Sequence, residues 1–107
     1  MFHLTAATDG DVHTIALTGE LDHRCTPRLH EALTRLRLVA GDRLVLDLAE
    51  LTFCDSSGLT AFVVAHELAA GAVDLLSPPA KLVRMLRTTG LAELFTIRGA
   101  DQGRPIR

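Results

Sequence analysis

The chain has 107 residues, 48% hydrophobic and 22% charged, with a net charge of −2, the balance of a single globular domain with one modest core. That charge excludes the basic face a general nucleic-acid binder needs, and there is neither an apolar run of about 18 residues for a membrane span nor a charged n-region ahead of an apolar one at Met1–Thr5. Cys25 and Cys54 stand alone, without paired histidines, so no zinc site and no cofactor is expected. The expectation is a soluble cytoplasmic protein that binds neither nucleic acid nor membrane.

In chain order, Phe2–Ala7 reads as a strand joined through the turn Asp9-Gly10-Asp11 to an antiparallel partner, the alternating segment Val12-His-Thr-Ile15-Ala-Leu17-Thr18. Gly19 to Cys25 reads as a loop. Thr26-Pro27 starts a helix, Thr26 as N-cap and Pro27 at the first helical position, with Leu29, Ala32, Leu33 and Leu36 on one face. Gly41-Asp42 ends that segment, and Arg43–Leu48 is an apolar strand. The helix after Ser57 carries Leu59, Phe62, Val63 and His66 on one face, yet Ala61, Val64, Ala65 and Leu68 leave its other face apolar too. Such a helix is mostly buried or faces a partner.

Gly71 breaks that helix, and Ala72–Leu76 is the next core strand. Pro78-Pro79 opens another helix, with Leu82, Val83 and Leu86 inward and Lys81, Arg84 and Arg87 outward, closed by Gly90. A short helical turn, Leu91–Leu94, precedes a last strand, Phe95–Ile97. Strands alternating with helices imply an α/β layer with a largely parallel inner sheet. The predicted core is Leu46, Leu48, Phe53, Leu59, Phe62, Val63, Val73, Leu75 and Leu86. Residues 1–98 form the domain, and 99–107, rich in Gly, Asp, Gln and Pro, read as a flexible tail.

The junction Leu51-Thr-Phe-Cys-Asp55-Ser56-Ser57-Gly58-Leu59 concentrates the chemistry. A strand-to-helix turn needs side chains that satisfy orphan N–H groups, and Asp55, Ser56 and Ser57 can each do so. One would suffice for a cap. An acid with two adjacent hydroxyls at an exposed helix start therefore points to a hydroxyl that is modified, while a plain capped turn remains the alternative. His23, His30 and His66 are scattered and earn no ligand or base role. The Gly-x-Ser-x-Gly elbow of α/β-hydrolases and the Gly-x-x-x-x-Gly-Lys loop of nucleotide binders are both missing, so the chain reads as a substrate of enzymes rather than as one.

Three stretches in order resemble the STAS domain family: Leu17-Thr-Gly-Glu-Leu-Asp22 with Thr26-Pro27 and Leu29; Val45-Leu-Asp-Leu48 with Phe53-Cys-Asp-Ser-Ser-Gly-Leu59; and Pro79-Ala-Lys-Leu-Val-Arg-Met-Leu86 with Gly90-Leu-Ala-Glu-Leu-Phe95. The chain departs from the family in carrying Cys25 where Thr is frequent. The resemblance implies a single STAS-like α/β domain with a mixed, largely parallel sheet of about four to five strands and about four helices mainly on one side. It implies a bacterial anti-sigma factor antagonist phosphorylated on Ser56, with Asp22 beside that serine and Asp55, Ser57 and Gly58 in the partner-binding surface. It further implies an anti-sigma factor of the GHKL-type serine kinase class and a PP2C-type phosphatase as partners, the antagonist itself being a monomer or weak dimer. The alternative is an unphosphorylated STAS module serving as a scaffold or as a subunit of a lipid-transport or sensory complex. A nucleotide-binding regulatory domain has little in its favour.

Overall fold

Alternation of apolar and polar residues builds the first half of the sheet. β1 (His3–Asp9) pairs antiparallel with β2 (Val12–Leu21), from His3 opposite Thr18 to Asp9 opposite Val12. Gly10, at φ +65°, supplies the left-handed turn that joins them. β2 buries His13, Ile15, Leu17 and Leu21, each at most 7% exposed. The computed structural model describes residues 1–99; of the expected tail only Gly99 falls within them.

After β2 come α1 (Thr26–Arg35), β3 (Arg43–Cys54), α2 (Ser56–Leu68), β4 (Val73–Leu76), α3 (Ala80–Thr89), a 3₁₀ turn at Leu91–Leu94 and β5 (Thr96–Arg98). The five strands lie in the order β1-β2-β3-β4-β5, all parallel from β2 onward. Each of the three crossovers steps one strand in the same direction. Right-handed connections then put α1, α2 and α3 on the same face of the sheet. The expected mixed α/β architecture is present, with three α-helices and the 3₁₀ turn in place of a fourth helix. The core between the layers contains Leu44, Leu46, Leu48, Leu75, Phe62 and Leu86, all fully buried.

Several local expectations are corrected. β2 continues to Leu21, through what reads as loop, because Gly19 adopts φ +95° and lets the N-terminal segment run past it; a Cβ there would stand 1.7 Å from the Met1 carbonyl oxygen. Cys25, not Thr26, is the N-cap of α1. The Asp22 carbonyl accepts from both the Cys25 and Thr26 N–H groups (2.9 and 3.0 Å), which starts the helix one residue early. Phe53 is 49% exposed rather than core: β3 runs on to Cys54, register shifts against β2 interrupt the alternation, and Leu51 and Cys54 turn inward instead. Val63 is half-buried, since α2 buries the stripe Leu59, Phe62, Ala65 with Gly58 and Ala61.

Two polar groups inside the sheet are satisfied by neighbours, as burial requires. His13 joins Thr8 Oγ1 (3.0 Å) to Asp42 Oδ2 (2.9 Å), pinning the hairpin to the loop before β3. Asp74, 5% exposed, pairs with Arg43 on one side and with Arg98 on the other (3.0 Å), linking β3, β4 and β5.

Candidate functional site

The ends of β2 and β3 define the site. Their last residues, Leu21 and Cys54, are register partners, and the Asp55 N–H donates to the Leu21 carbonyl at 3.3 Å. The Asp22 loop and the Asp55-Ser56-Ser57 turn therefore leave the sheet side by side. They do so at the carboxyl ends of parallel strands, where open α/β sheets place their sites.

Asp55 is extended (φ −102°, ψ −171°) and caps α2. Its Oδ1 accepts from the Ser57 N–H (3.0 Å), the Gly58 N–H (3.2 Å) and the Ser57 hydroxyl (2.6 Å). The Ser57 hydroxyl foremost, then the N–H groups of Gly58, Ser57 and His23, hold this carboxyl below the usual carboxylate range. One carboxylate thus satisfies two orphan N–H groups and fixes the neighbouring hydroxyl.

The two serines are treated differently. Ser57 is half-buried with its hydroxyl donated to Asp55. Ser56 is the first residue of the 13-residue helix, exposed, and its hydroxyl has no hydrogen-bond partner among the described residues. Gly58 is buried: a Cβ there would meet Cys54 Sγ at 2.5 Å and Leu21 Cδ2 at 3.1 Å. Its lack of a side chain lets α2 begin tight against the two strand ends. Burial, then the Asp55 charge, pushes the Cys54 thiol up to about 12, so it packs and does not react.

Asp22, its side chain 14% exposed, accepts from the Arg24 N–H and from Arg24 Nη2, both at 3.0 Å. The Arg24 guanidinium is the main cause that holds the Asp22 carboxyl below its usual range. Arg24 is a member of the site that sequence reading missed; its only trace is a cation two residues after an acid. A second missed feature is Phe53, which borders an apolar groove of about 60 Å³ between the end of β3 and the start of α3, walled by Leu51, Pro79, Leu82 and Met85 with Lys81 at the rim. The histidines are not brought together. His66 packs edge-on against Phe95 with ring centres 5.9 Å apart, and His30 lies on α1 with Nε2 buried and without a hydrogen-bond partner among the described residues.

The turn can do one thing well. The start of α2 offers the positive end of the helix dipole to an anion on Ser56, and the hydroxyl is open to an incoming donor. No helix among the described residues is long and apolar enough to cross a membrane.

Comparison with known proteins identifies the family. Residues 4–97 match the family described as "Mlab, STAS domain". The anti-sigma-B factor antagonist of Listeria monocytogenes is 30% identical over 96 residues, covering 87% of this chain and 84% of that protein. The fold is similar to that of an anti-sigma factor antagonist from Mycobacterium paratuberculosis, with a TM-score of 0.80 at 21% identity over 92% of this chain and 86% of that one. It is also similar to the Bacillus cell fate determinant SpoIIAA in its phosphorylated form, with a TM-score of 0.61 at 20% identity over 91% and 90% of the two chains. A match across nearly the whole domain, with the Asp-Ser-Ser-Gly turn standing at its helix start, settles the family: this chain belongs to the STAS domain family.

Proposed function

We propose that this chain is a cytoplasmic anti-sigma factor antagonist, and that Ser56 is the switch that controls its binding. The observation that carries the reading is the division of labour in the turn: Ser57 is held by Asp55 at 2.6 Å, while Ser56 stands exposed beside it. Unphosphorylated, the surface around Ser56 binds an anti-sigma factor and frees the sigma factor it holds. The anti-sigma factor, a GHKL-type serine kinase, transfers the γ-phosphoryl group of ATP to the Ser56 hydroxyl, and a PP2C-type phosphatase hydrolyses it off again.

The added group brings about −1.5 to −2 charges and three acceptor oxygens. It sits at the helix start, where the positive end of the helix dipole favours it, so the fold survives while the docking surface becomes far more negative. Asp55, already an anion, adds to that charge. Asp22 and Ser57 act at the rim of the surface, and buried Gly58 acts by setting where α2 begins. The name of the Listeria relative supports the partner class. The solution of SpoIIAA structures in unphosphorylated and phosphorylated forms supports a switch without unfolding.

The test is incubation with ATP, Mg²⁺ and the partner kinase, followed by intact mass and peptide mapping. One phosphate on Ser56, and loss of kinase binding by the phosphorylated protein, is the expected result. A phosphate elsewhere, or undiminished binding, would overturn the switch and return the chain to the scaffold reading.

A further inference from the structure

One edge of the sheet is open. Among the described residues β1 pairs only with β2, and the opposite edge, β5, is three residues long. Natural sheets blunt a free edge with lysine, proline, a bulge or shortness. β1 has none of these: it runs seven residues, His-Leu-Thr-Ala-Ala-Thr-Asp, in unbroken register with β2, and all but Leu4 are exposed. Its outer row of backbone N–H and C=O groups offers a template to another strand.

The sequence of that edge is complementary to itself. An antiparallel pairing centred on Ala6 sets Ala6 against Ala6, Thr5 against Ala7, Leu4 against Thr8 and His3 against Asp9 of the second copy. Each residue meets one of the same parity, so outward-pointing backbone groups meet outward-pointing ones and side chains on one face of the sheet meet that same face. Leu4 and Thr8, which oppose the buried Leu17 and His13 of β2, share the helix-bearing face; His3, Thr5, Ala7 and Asp9 share the open one. The two end pairs place an imidazole opposite a carboxylate twice over, once at each end. An imidazole N–H donates to a carboxylate whether the ring is charged or neutral. No like charges meet anywhere along the seam.

We propose that two copies of this chain associate through β1, antiparallel about a two-fold axis at Ala6, to form one continuous ten-stranded sheet. The interface is isologous, as a two-fold axis requires. A single strand pairing buries less than the roughly 1,600 Å² of a standard interface, so the dimer is weak and depends on concentration. It leaves the Ser56 turns free, since those project from the ends of β2 and β3, and it stands or falls independently of the phosphorylation reading.

Sedimentation velocity on the full chain, from about 10 µM to about 1 mM, should show the sedimentation coefficient rising with concentration. His3→Asp puts carboxylate against carboxylate at both ends and should weaken association about three- to ten-fold, and Asp9→His should do the same with imidazoles. The double variant His3→Asp with Asp9→His restores complementarity only in this register and should return wild-type association. Melting midpoints matching wild type confirm that these exposed changes spare the fold. Ala6→Cys places two thiols at the axis, where facing Cα atoms lie about 4.5–5.5 Å apart, within disulfide reach; mild oxidation should give a dimer whose mapped cross-link joins Cys at position 6 of both copies. A monomer across the whole range, or a double variant as weak as the singles, would overturn the proposal.

Discussion

The Ser57 hydroxyl donates to the Asp55 carboxylate at 2.6 Å, and that bond separates two adjacent serines into a structural one and an available one. Ser56→Ala should fold as wild type, since Asp55 still caps α2, and should bind the anti-sigma factor constitutively without accepting phosphate. Ser57→Ala should still be phosphorylated, on Ser56. Ser56→Asp should bind weakly but not as weakly as the phosphoprotein, having one charge against nearly two. Mass mapping and a titration of binding check all three; phosphate transfer that needs Ser57 rather than Ser56 would contradict the assignment.

Gly58→Ala should destabilise by about 1–3 kcal/mol, because the new methyl must displace Cys54 Sγ and Leu21 from a packed junction. Removing the sulfur relieves the clash. The pair Gly58→Ala with Cys54→Ala should recover much of the loss, a coupling that a double-mutant cycle by urea denaturation measures directly. Additive losses would mean that the helix start moves away from the strands instead.

Asp22, Asp42 and Asp55 all titrate below the ordinary carboxylate range: Asp22 through Arg24, Asp42 first through the Val39 N–H and then His13, Asp55 first through the Ser57 hydroxyl. A carboxylate with a depressed native pKa binds fewer protons folded than unfolded, so its stabilisation is full above the unfolded value and is lost as pH falls through the folded one. Melting midpoints should therefore be flat from about pH 7 to about pH 5 and decline below about pH 4. In Ser57→Ala, which lacks the main cause at Asp55, the decline should be shallower. An identical acid profile in that variant would remove the hydroxyl from the cause.

Phe62 and Phe53 should behave oppositely. Phe62 is fully buried, and Phe62→Ala should cost about 3–5 kcal/mol. Phe53, half-exposed beside the groove at the end of β3, should cost under about 1 kcal/mol as Ala, within the range of a surface site. It should weaken anti-sigma factor binding, since exposed aromatic side chains rank high among binding hot spots. Chemical denaturation and a binding isotherm on the same preparations separate the two effects.

Asp22→Asn keeps an acceptor for the Arg24 N–H and loses the charge that pairs with its guanidinium. The melting midpoint should fall only slightly, as for the loss of an exposed ion pair, while the phosphorylation rate or the affinity for the anti-sigma factor falls. Wild-type behaviour in both assays would take Asp22 out of the site.

Local rules in the chain determined most of the architecture. The Val12–Thr18 alternation, the turn glycines at 10, 71 and 90, and the 3–4 spacing in α1 and α3 are short-range signals, and the strands and helices they imply are present. The Asp-Ser-Ser-Gly turn at a helix start was legible for the same reason, since capping is settled within four residues. What needed the tertiary structure was whatever depends on two distant segments meeting. That Asp22 and Asp55 sit side by side follows from Leu21 pairing with Cys54, 33 positions on. Phe53 reads as core in an apolar run, and only the register shifts between β2 and β3 turn it outward. Which serine stays free was decided by the direction of the Asp55 carboxylate: composition supplies two equivalent hydroxyls, and a hydrogen bond geometry of a few ångströms makes them unequal.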